Sequence, residues 1–530
     1  MVRRIFTAVR AALATPRALA CAAVCLVPGL VPAGAAFAQG SEFLARANSA
    51  YADIRADRRS DTVLLPAIAE MDNPPPAAAS PFSAARLTEG APGWSAAKRW
   101  AEAPAQVDAL EALATVTAET NWRRSFGFGQ RYGSAGIDAM LIERNLYTDL
   151  GVPPTLGLAR FGYLDGLNRL SALVYVEATR RQAEGDPGGA ADVCVDLAYL
   201  GRQIADRAFA EEARWGLETI AESVERLRVV AYEDFAGERN LTQEAFQRAI
   251  DRLELERAYM DLSRLTFPIG DRLALLEVAG RIFPGEGPPD PGAFATTLAR
   301  LDTGSRPLRL FGQAAAWDGR ASAHAPWSET EDEIERAYED WRQQWELDDF
   351  HPRRSAPAYF DGLNSTRFAV ISASLGDLGD LFELRRRARV EIVGSRTCLA
   401  LVAYGYQFGQ EPPQVSSVRG RWVQRMDADP YNARNGSTEG PPLEYFVPIR
   451  DTRDQFTGEP QPHEISATTA RGETITTRVD ESGFVVYSFG PDGQKDWARR
   501  ATSSASAGGS GGTDILLWPP VLGLERAGGS

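Results

Sequence analysis

The sequence has 530 residues, of which 44% are hydrophobic, and a formal net charge of −14 at pH 7. This length is enough for two or three globular domains, and the hydrophobic content is that of an ordinary globular protein. The negative charge makes nucleic-acid backbones and anionic membrane surfaces unfavourable general partners, so the composition argues against both classes of binding.

The first 38 residues have the three parts of a secretory signal peptide. Four arginines and no acids precede or adjoin an apolar stretch, Ala18–Leu30, and Ala36–Ala38 supplies the small residues that signal peptidase requires. We therefore predict a signal peptide over residues 1–38, with cleavage before Gln39. The mature protein is then expected to be extracytoplasmic, either in the periplasm or secreted.

Two other interpretations of this segment remain open. One is an uncleaved membrane anchor, which is disfavoured because the apolar run is short and Pro28 and Pro32 interrupt it. The other is a lipoprotein, since the residues before Cys21 and Cys25 loosely resemble a lipobox. No later segment is long and apolar enough to cross a membrane, so we expect no transmembrane segment after cleavage.

Cysteine and histidine are too sparse for a disulfide framework or a typical zinc site. Beyond residue 38 the only cysteines are Cys194 and Cys398, which lie far apart on predicted helices, and we favour buried free thiols over a bridge between them. His324, His351 and His463 are the only histidines, and none belongs to a closely spaced pair. A zinc site or a Ser–His–Asp hydrolase is therefore disfavoured.

The long central part of the chain predicts a helical bundle. Residues 39–158 are expected to form an N-terminal region of short helices and loops, and residues 159–390 a helical domain. The domain begins with two amphipathic helices separated by the turn Gly185–Gly188, which predicts an αα-hairpin. This pair resembles a tetratricopeptide-type unit, but no fixed period recurs, so stacked hairpins are favoured over a solenoid.

Further helices are predicted along the same region, and glycines indicate a kink or break in the last of them. The predicted ranges are 211–232, 242–262, 269–283, 329–345 and 366–407.

Residues 391–530 are predicted to form a small α+β module with an antiparallel sheet. Strand signals replace helical periodicity after Gly409, and two strand-like runs, 473–479 and 484–489, are separated by four turn residues, which predicts a β-hairpin. A Ser/Gly tract over 503–512 predicts a flexible loop before a last strand at 515–518. The predicted fold class is mainly α: a multi-helix bundle of stacked helical hairpins followed by this module.

Four segments of this C-terminal region resemble a known family. They are the helix end Tyr404–Pro412, the segment Asp454–Pro460, the strand end Gly483–Gly493 and the short Gly512–Ile515. Together they resemble the C-terminal half of the major pseudopilin of type II secretion. The whole chain resembles exported proteins of planctomycete-type bacteria in which a long helical domain precedes such a module.

The chain also departs from the pseudopilin pattern. A pseudopilin begins with a prepilin-peptidase site and an apolar helix, whereas this chain begins with a signal peptide and a long helical region. Gln455 stands where the family has proline, and the loop from Asp492 to Asp514 is lengthened. We therefore expect a protein that carries a pseudopilin-like module but does not assemble as an ordinary pilus subunit.

The resemblance implies a calcium site in the last loop. In the major pseudopilins this loop holds a calcium ion, and Asp492 and Asp514 match its carboxylate ligands, with Asp496 as a further candidate. Calcium prefers about six to eight oxygen ligands, which a glycine-rich loop can supply in part from carbonyls. The alternative is that Asp492 belongs to an ordinary turn and Asp514 caps the entry to the last strand.

Three functions remain open from the sequence. We favour a non-catalytic extracytoplasmic protein that binds a protein partner or is associated with the cell envelope, because no motif combines a nucleophile, a base and an orienting group. A secreted hydrolase that uses carboxylates is the alternative, with Glu211-Glu212 and Asp348-Asp349 as candidate pairs. A purely structural envelope protein is the third.

Overall fold

The computed structural model describes residues 33–255, 258–283, 285–289, 321–374, 378–432, 440–454, 457–503 and 514–528. Most of the predicted signal peptide, Gln455 and nearly all of the Ser/Gly tract lie outside these ranges. Among the described residues, no helix combines the length and the apolar character that a membrane span requires.

The mainly α fold class is confirmed, since helices dominate the described chain and a small sheet follows most of them. The helices are α1 (Ala33–Ala52), α2 (Asp61–Glu70), α3 (Pro81–Arg86), α4 (Trp94–Ala101), α5 (Pro104–Thr117), α6 (Ala139–Glu143), α7 (Gly162–Ala183), α8 (Pro187–Ala205), α9 (Ala210–Ala236), α10 (Gln243–Arg252), α11 (Gly270–Ile282), α12 (Trp327–Glu346), α13 (Ala369–Ser374), α14 (Gly379–Phe408) and α15 (Val521–Gly528).

Helices α7, α8 and α9 form the centre of the bundle. The predicted αα-hairpin is confirmed: α7 ends before Gly185, and the Asp186 side chain caps α8 by accepting a hydrogen bond from the Gly189 amide at 2.8 Å. Pro187 occupies the first turn of α8, where its missing N–H costs nothing. The short connections make successive helices antiparallel neighbours.

Two glycines allow α8 and α9 to approach at the level of their backbones. A Cβ atom added at Gly216 would lie 2.3 Å from the backbone nitrogen of Ala205 and 2.5 Å from the carbonyl oxygen of Gly201. A side chain at this position would therefore force the two helices apart, because packed interiors have no spare volume.

Helix α14 joins the helical bundle to the sheet. It runs for 30 residues and crosses the predicted domain boundary at residues 390 and 391 without interruption. It packs against α9 on one side and against strands of the sheet on another. A Cβ atom at Gly394 would lie 2.6 Å from a methyl carbon of Leu517, so this glycine permits the close approach of helix and sheet. The helix is not broken at Gly394, but the predicted range 366–407 is divided, since α13 ends at Ser374 and α14 begins at Gly379.

One predicted helix is much shorter than expected. The range 242–262 contains α10, which begins after its N-cap Thr242 but ends at Arg252. The Arg252 guanidinium donates to the Asp196 carboxylate at 2.8 Å, and Tyr259 returns to contact the ring of Tyr199 at a centroid distance of 5.1 Å. Tertiary contacts with α8 therefore outweigh the helical propensity of the segment after Arg252.

The sheet of the C-terminal region contains six described strands in the order β3-β6-β8-β7-β4-β5. Pairs β3–β6, β6–β8 and β4–β5 are antiparallel, whereas the short β7 pairs in parallel with both β4 and β8. The strands are β3 (Glu444–Phe446), β4 (His463–Thr468), β5 (Thr474–Val479), β6 (Val485–Ser488), β7 (Arg500–Thr502) and β8 (Asp514–Trp518), and a separate two-stranded pair comprises β1 (Thr148–Asp149) and β2 (Arg160–Phe161).

The predicted hairpin between residues 473 and 489 is wrong. Strand β5 pairs only with β4 at one edge, whereas β6 lies between β3 and β8 near the other edge. The two strands have different burial patterns: β5 alternates between exposed and half-buried residues, and every residue of β6 is buried. A one-sided edge strand and a strand covered on both faces belong at different places in a sheet, although a turn connects them.

Both faces of the central strands are covered. Val486, Leu517 and Trp518 belong to the main hydrophobic core, which is continuous with the helical bundle. Tyr487 and Leu516 belong to a second cluster that includes Val521 and Leu524 of α15. The C-terminal helix therefore closes the side of the sheet that faces away from α14.

Both cysteines in the described part of the chain, Cys194 on α8 and Cys398 on α14, are buried free thiols. Burial raises the pKa of each thiol to about 12. Both are therefore protonated and unreactive at neutral pH, since the thiolate is the nucleophile.

A buried charge cluster fixes α15 against the bundle. Arg228 of α9 forms an ion pair with Glu391 of α14 and donates to the Ser395 hydroxyl at 2.7 Å. Nearby, Glu225 accepts a hydrogen bond from the Leu522 amide of α15 at 3.4 Å. Arg526 of α15 donates to the Ala85 and Leu87 carbonyls at 2.8 Å.

We expect Gly216→Ala to destabilise the fold by about 1–3 kcal/mol, because the added methyl group overlaps the backbone of α8. Urea unfolding followed by circular dichroism measures the change. Gly280→Ala is the matched control: Gly280 lies in α11 with no atom within 4 Å of an added Cβ. The control substitution is expected to raise the free energy of unfolding by about 0.5–1 kcal/mol, because alanine favours the helix more than glycine does. Equal effects of the two substitutions would contradict the close crossing.

A second prediction concerns pH. Burial raises the pKa of the Glu225 carboxyl to about 7, and the Glu391 carboxylate adds to the shift. The folded state therefore binds this proton more tightly than the unfolded state does, so the stabilisation is present at low pH and is lost as the pH rises through about 7. Glu225→Gln should unfold at higher urea concentration than the wild type at about pH 8, but show a smaller advantage at about pH 5. The exposed Glu346→Gln should show no such pH dependence.

Candidate functional site

A cleft of about 800 Å³ opens on the side of the bundle formed by α1, the segment 122–128, the end of α8 and the segment 259–269. This volume is within the usual range of small-ligand sites, about 300–1,000 Å³. The elements that form it are distant in sequence, so the cleft exists only after the bundle has folded.

The charge of the cleft is opposite to the charge of the whole protein. Its described lining contains seven arginines and two aspartates, with no lysine, histidine or glutamate. The arginines are Arg46, Arg55, Arg58, Arg123, Arg202, Arg207 and Arg264, and the aspartates are Asp53 and Asp206. Five of these arginines pair with Asp57, Asp206, Glu212 or Asp261, so the excess positive charge that can attract an anion comes mainly from Arg46 and Arg123.

The floor of the cleft is built on the carboxylate of Glu212, which is fully buried in the first turn of α9. Arg207 Nε donates to Glu212 Oε1 at 2.9 Å, and the Tyr132 hydroxyl donates to Oε2 at 2.7 Å. The Tyr163 hydroxyl also donates to Oε1, and the Phe209 amide donates to Oε2 at 3.1 Å. Both oxygens of the Glu212 carboxylate therefore accept hydrogen bonds. A charged group can be buried only when it is paired in this way.

The same network holds α1 over the floor. Tyr132 exchanges backbone hydrogen bonds with the Asn48 side chain at 2.8 and 3.3 Å, and its hydroxyl lies 3.1 Å from the Tyr51 hydroxyl. The Arg207 guanidinium carbon lies 4.1 Å from the ring centroid of Tyr51, which is a cation–π contact. Burial raises the pKa of Tyr132 and Tyr163 well above the usual value, so both hydroxyls stay protonated and act as donors.

Three buried polar atoms beneath the cleft have no hydrogen-bond partner in the described part of the chain. They are Arg202 Nε, Gln203 Oε1 and Arg207 Nη2, all from the C-terminal end of α8 and the residues just after it. The carboxylate nearest to Arg202 is Asp206, at 3.6 Å. Unpaired buried groups of this kind are costly, but these three atoms have almost no solvent exposure and similar atoms occur elsewhere in the bundle, such as Arg226 Nε, so they do not themselves mark a ligand site.

The rim of the cleft combines cations with an exposed aromatic ring. Trp122 is 46% exposed, and the guanidinium carbons of Arg264 and Arg123 lie 4.7 and 5.2 Å from its ring centroid. Arg46 and Arg123 form no ion pair with any residue that the structure describes. The rim therefore offers positive charge beside a flat apolar surface.

The sequence-predicted calcium ligands lie in the C-terminal module, away from this cleft. Asp492 accepts a hydrogen bond from the Gln494 amide at 2.9 Å, and the buried Asp514 accepts from the Ala498 amide at 2.6 Å. Burial raises the pKa of Asp514 to about 7, and the charges of Asp496 and Asp492 add to this shift. These bonds fit the turn-and-cap alternative, and the described residues contain no group of three or more candidate metal-ligating side chains. The calcium site stays a prediction.

The candidate carboxylate pairs of a hydrolase do not converge on the cleft. Glu212 is committed to its buried donors, whereas Glu211 lines a different depression beside Trp215. Asp348 accepts a hydrogen bond from the Phe350 amide at 3.0 Å, and Asp349 pairs with Arg389 at 2.7 Å. Neither pair therefore offers two carboxylates to a substrate bound among the arginines.

Sequence reasoning missed the arginine cleft entirely. The only signal was compositional: the chain has two lysines, Lys98 and Lys495, so arginine supplies almost all of its positive charge. Arginine is the side chain that binds planar carboxylates in a bidentate manner. Nothing in the sequence, however, indicates which arginines come together.

The calcium prediction can be tested by thermal unfolding. If calcium binds the folded loop, millimolar calcium should raise the melting temperature and a chelator should reverse the shift. Asp514→Asn and Asp492→Asn should abolish the shift. Asp480→Asn is the matched control for Asp492→Asn, because Asp480 caps an equivalent turn by accepting from the Ser482 amide at 2.9 Å. No shift in the wild type would exclude the site.

Comparison with known proteins gives no match: the chain matches no family model, no curated protein and no solved structure. The resemblance to the major pseudopilins therefore rests on residue patterns of the C-terminal region alone. Function has to be argued from the geometry and charge of the arginine-lined cleft.

Proposed function

We propose that this protein is a non-catalytic, extracytoplasmic binding protein that holds an anionic ligand in the arginine-lined cleft. The observation that carries the proposal is an arginine-lined cleft in an acidic chain, at whose rim Arg46 and Arg123 form no ion pair with a described residue. Long-range repulsion from the acidic surface acts against anions elsewhere, whereas the cleft attracts them.

The groups at the cleft support binding rather than catalysis. Glu212 is held by Arg207 and two tyrosines, so its charge is neutralised and its oxygens are occupied. Asp206 accepts a hydrogen bond from the Thr266 amide at 2.9 Å. The described lining contains no cysteine or histidine, and burial beneath the cleft raises the pKa of Tyr132, so its hydroxyl stays protonated and does not act as a base. These groups position charge without supplying a nucleophile and a base.

The proposal places the protein outside the cytoplasm because of the signal-peptide pattern of residues 1–38. The C-terminal module is proposed to dock to a protein partner in the cell envelope, as its resemblance to the major pseudopilin implies. A long helix, α14, packed against a small sheet supports this comparison. In this scheme the helical bundle binds the ligand and the module provides attachment.

The binding proposal is tested by calorimetric titration with a panel of anions: inorganic phosphate, citrate, poly-glutamate and acidic oligosaccharides. At least one is expected to bind, with affinity that falls as salt is added. Arg46→Gln and Arg123→Gln should each weaken that binding by about tenfold, which corresponds to the loss of one charge-assisted hydrogen bond.

Arg342→Gln is the matched control, because Arg342 is an exposed arginine of α12 that pairs with Glu339 and Glu346 on its own helix. It should leave the affinity unchanged. Failure of every anion to bind, or equal losses in all three variants, would overturn the proposed function.

A further inference from the structure

The cleft offers many hydrogen-bond donors and few acceptors. Five of its seven arginines already pair with protein carboxylates, but Arg46 and Arg123 form no ion pair with a described residue, and the acceptor side chains of the lining are mainly Asp53 and Asp206. A complementary ligand is therefore rich in oxygen atoms that accept hydrogen bonds and brings a smaller number of donors. Carboxylates together with hydroxyl groups have this balance.

The arginines lie at different depths. Arg202 and Arg207 are buried at the floor, and Arg46 and Arg123 are exposed at the rim on other elements of the fold. The two floor arginines already pair with Asp206 and Glu212, so the rim arginines are the ones available to a ligand. An extended ligand with anionic groups spaced along its length can contact both rim arginines, and the cleft volume of about 800 Å³ accommodates one.

The rim also presents an apolar surface that a simple anion would not use. Trp122 is one of the few large apolar side chains exposed in the described chain, and two arginines adjoin its ring. A sugar ring has an apolar face formed by its C–H bonds, and an acidic sugar carries a carboxylate at the edge of the same ring. Such a unit matches an aromatic surface that lies beside guanidinium groups.

The lining is less suited to an extended peptide. No described lining residue lies in a strand, so the cleft provides no sheet edge to pair with a peptide backbone. A peptide also brings an N–H donor for nearly every carbonyl acceptor, and the cleft has few groups that accept them. The donor-rich lining therefore favours a saccharide over an acidic peptide.

From these observations we infer that the ligand of the cleft is an acidic saccharide, a short chain of sugar rings that bear carboxylates. This inference rests on the proposed anion-binding function and names its ligand class. Arg46 and Arg123 bind carboxylates of the saccharide, and Trp122 contacts a ring face at the rim.

The test compares oligogalacturonate and alginate oligosaccharides with three other probes by calorimetric titration: the methyl-esterified oligogalacturonate, poly-glutamate and AMP. An acidic oligosaccharide is expected to bind most tightly. The methyl ester has the same sugar chain without its charges and should bind at least about tenfold more weakly.

Trp122→Ala should weaken binding of the acidic oligosaccharide by about tenfold, because the ring contact is lost. Trp497→Ala is the matched control: Trp497 is similarly exposed but lies in the C-terminal module beside Lys495. Equal effects of the two substitutions, or equal affinity for the methyl ester, would overturn the saccharide inference.

The outcomes distinguish the saccharide inference from the anion-binding proposal on which it rests. If poly-glutamate or AMP binds more tightly than the acidic oligosaccharides, and Arg46→Gln weakens that binding, anion binding stands and the saccharide inference fails. If no probe binds, both fail.

Discussion

The buried carboxylate of Glu212 is the interaction on which the site depends. It lies with no solvent exposure at the start of α9, and its charge is matched by Arg207 and by hydrogen bonds from Tyr132 and Tyr163. A buried charge is tolerated only when its partners are complete, and removing one partner of such a pair is far more costly than the pair is stabilising. Tyr132 in turn contacts Tyr51, so α1, α7, α9 and the end of α8 are held in one arrangement.

This arrangement gives the cleft a rigid floor. Arg207 is buried, its charge is matched by Glu212, and the rings of Tyr51 and Tyr132 fix its orientation. A preorganised floor lowers the conformational entropy that binding costs. The exposed arginines of the rim attract an anion and pair with it, and added salt weakens both effects.

The second constraint is the shared use of α14 by the bundle and the sheet. This helix packs on α9 and on the central strands, and Gly394 permits contact with Leu517. The buried pair of Arg228 and Glu391 joins the same two helices, and α15 returns to the bundle through Arg526. The C-terminal module is therefore stabilised by the helical region, and the main hydrophobic core extends through both.

The sequence by itself determined the local features: the αα-hairpin with its turn at residues 185–188, most of the long helices, the last strand predicted at 515–518 and the mainly α class. Each of these depends on periodicity or capping within a few residues, which a single sequence displays directly. Only the tertiary structure decided the strand order, which separated β5 from β6, and the end of α10 at Arg252, because both depend on contacts with distant elements. The tertiary structure also decided which residues form the candidate site. Arg46, Arg123, Arg207 and Arg264 meet because α1, α8 and two loops converge, and the spacing of charges along the chain carries no record of that convergence.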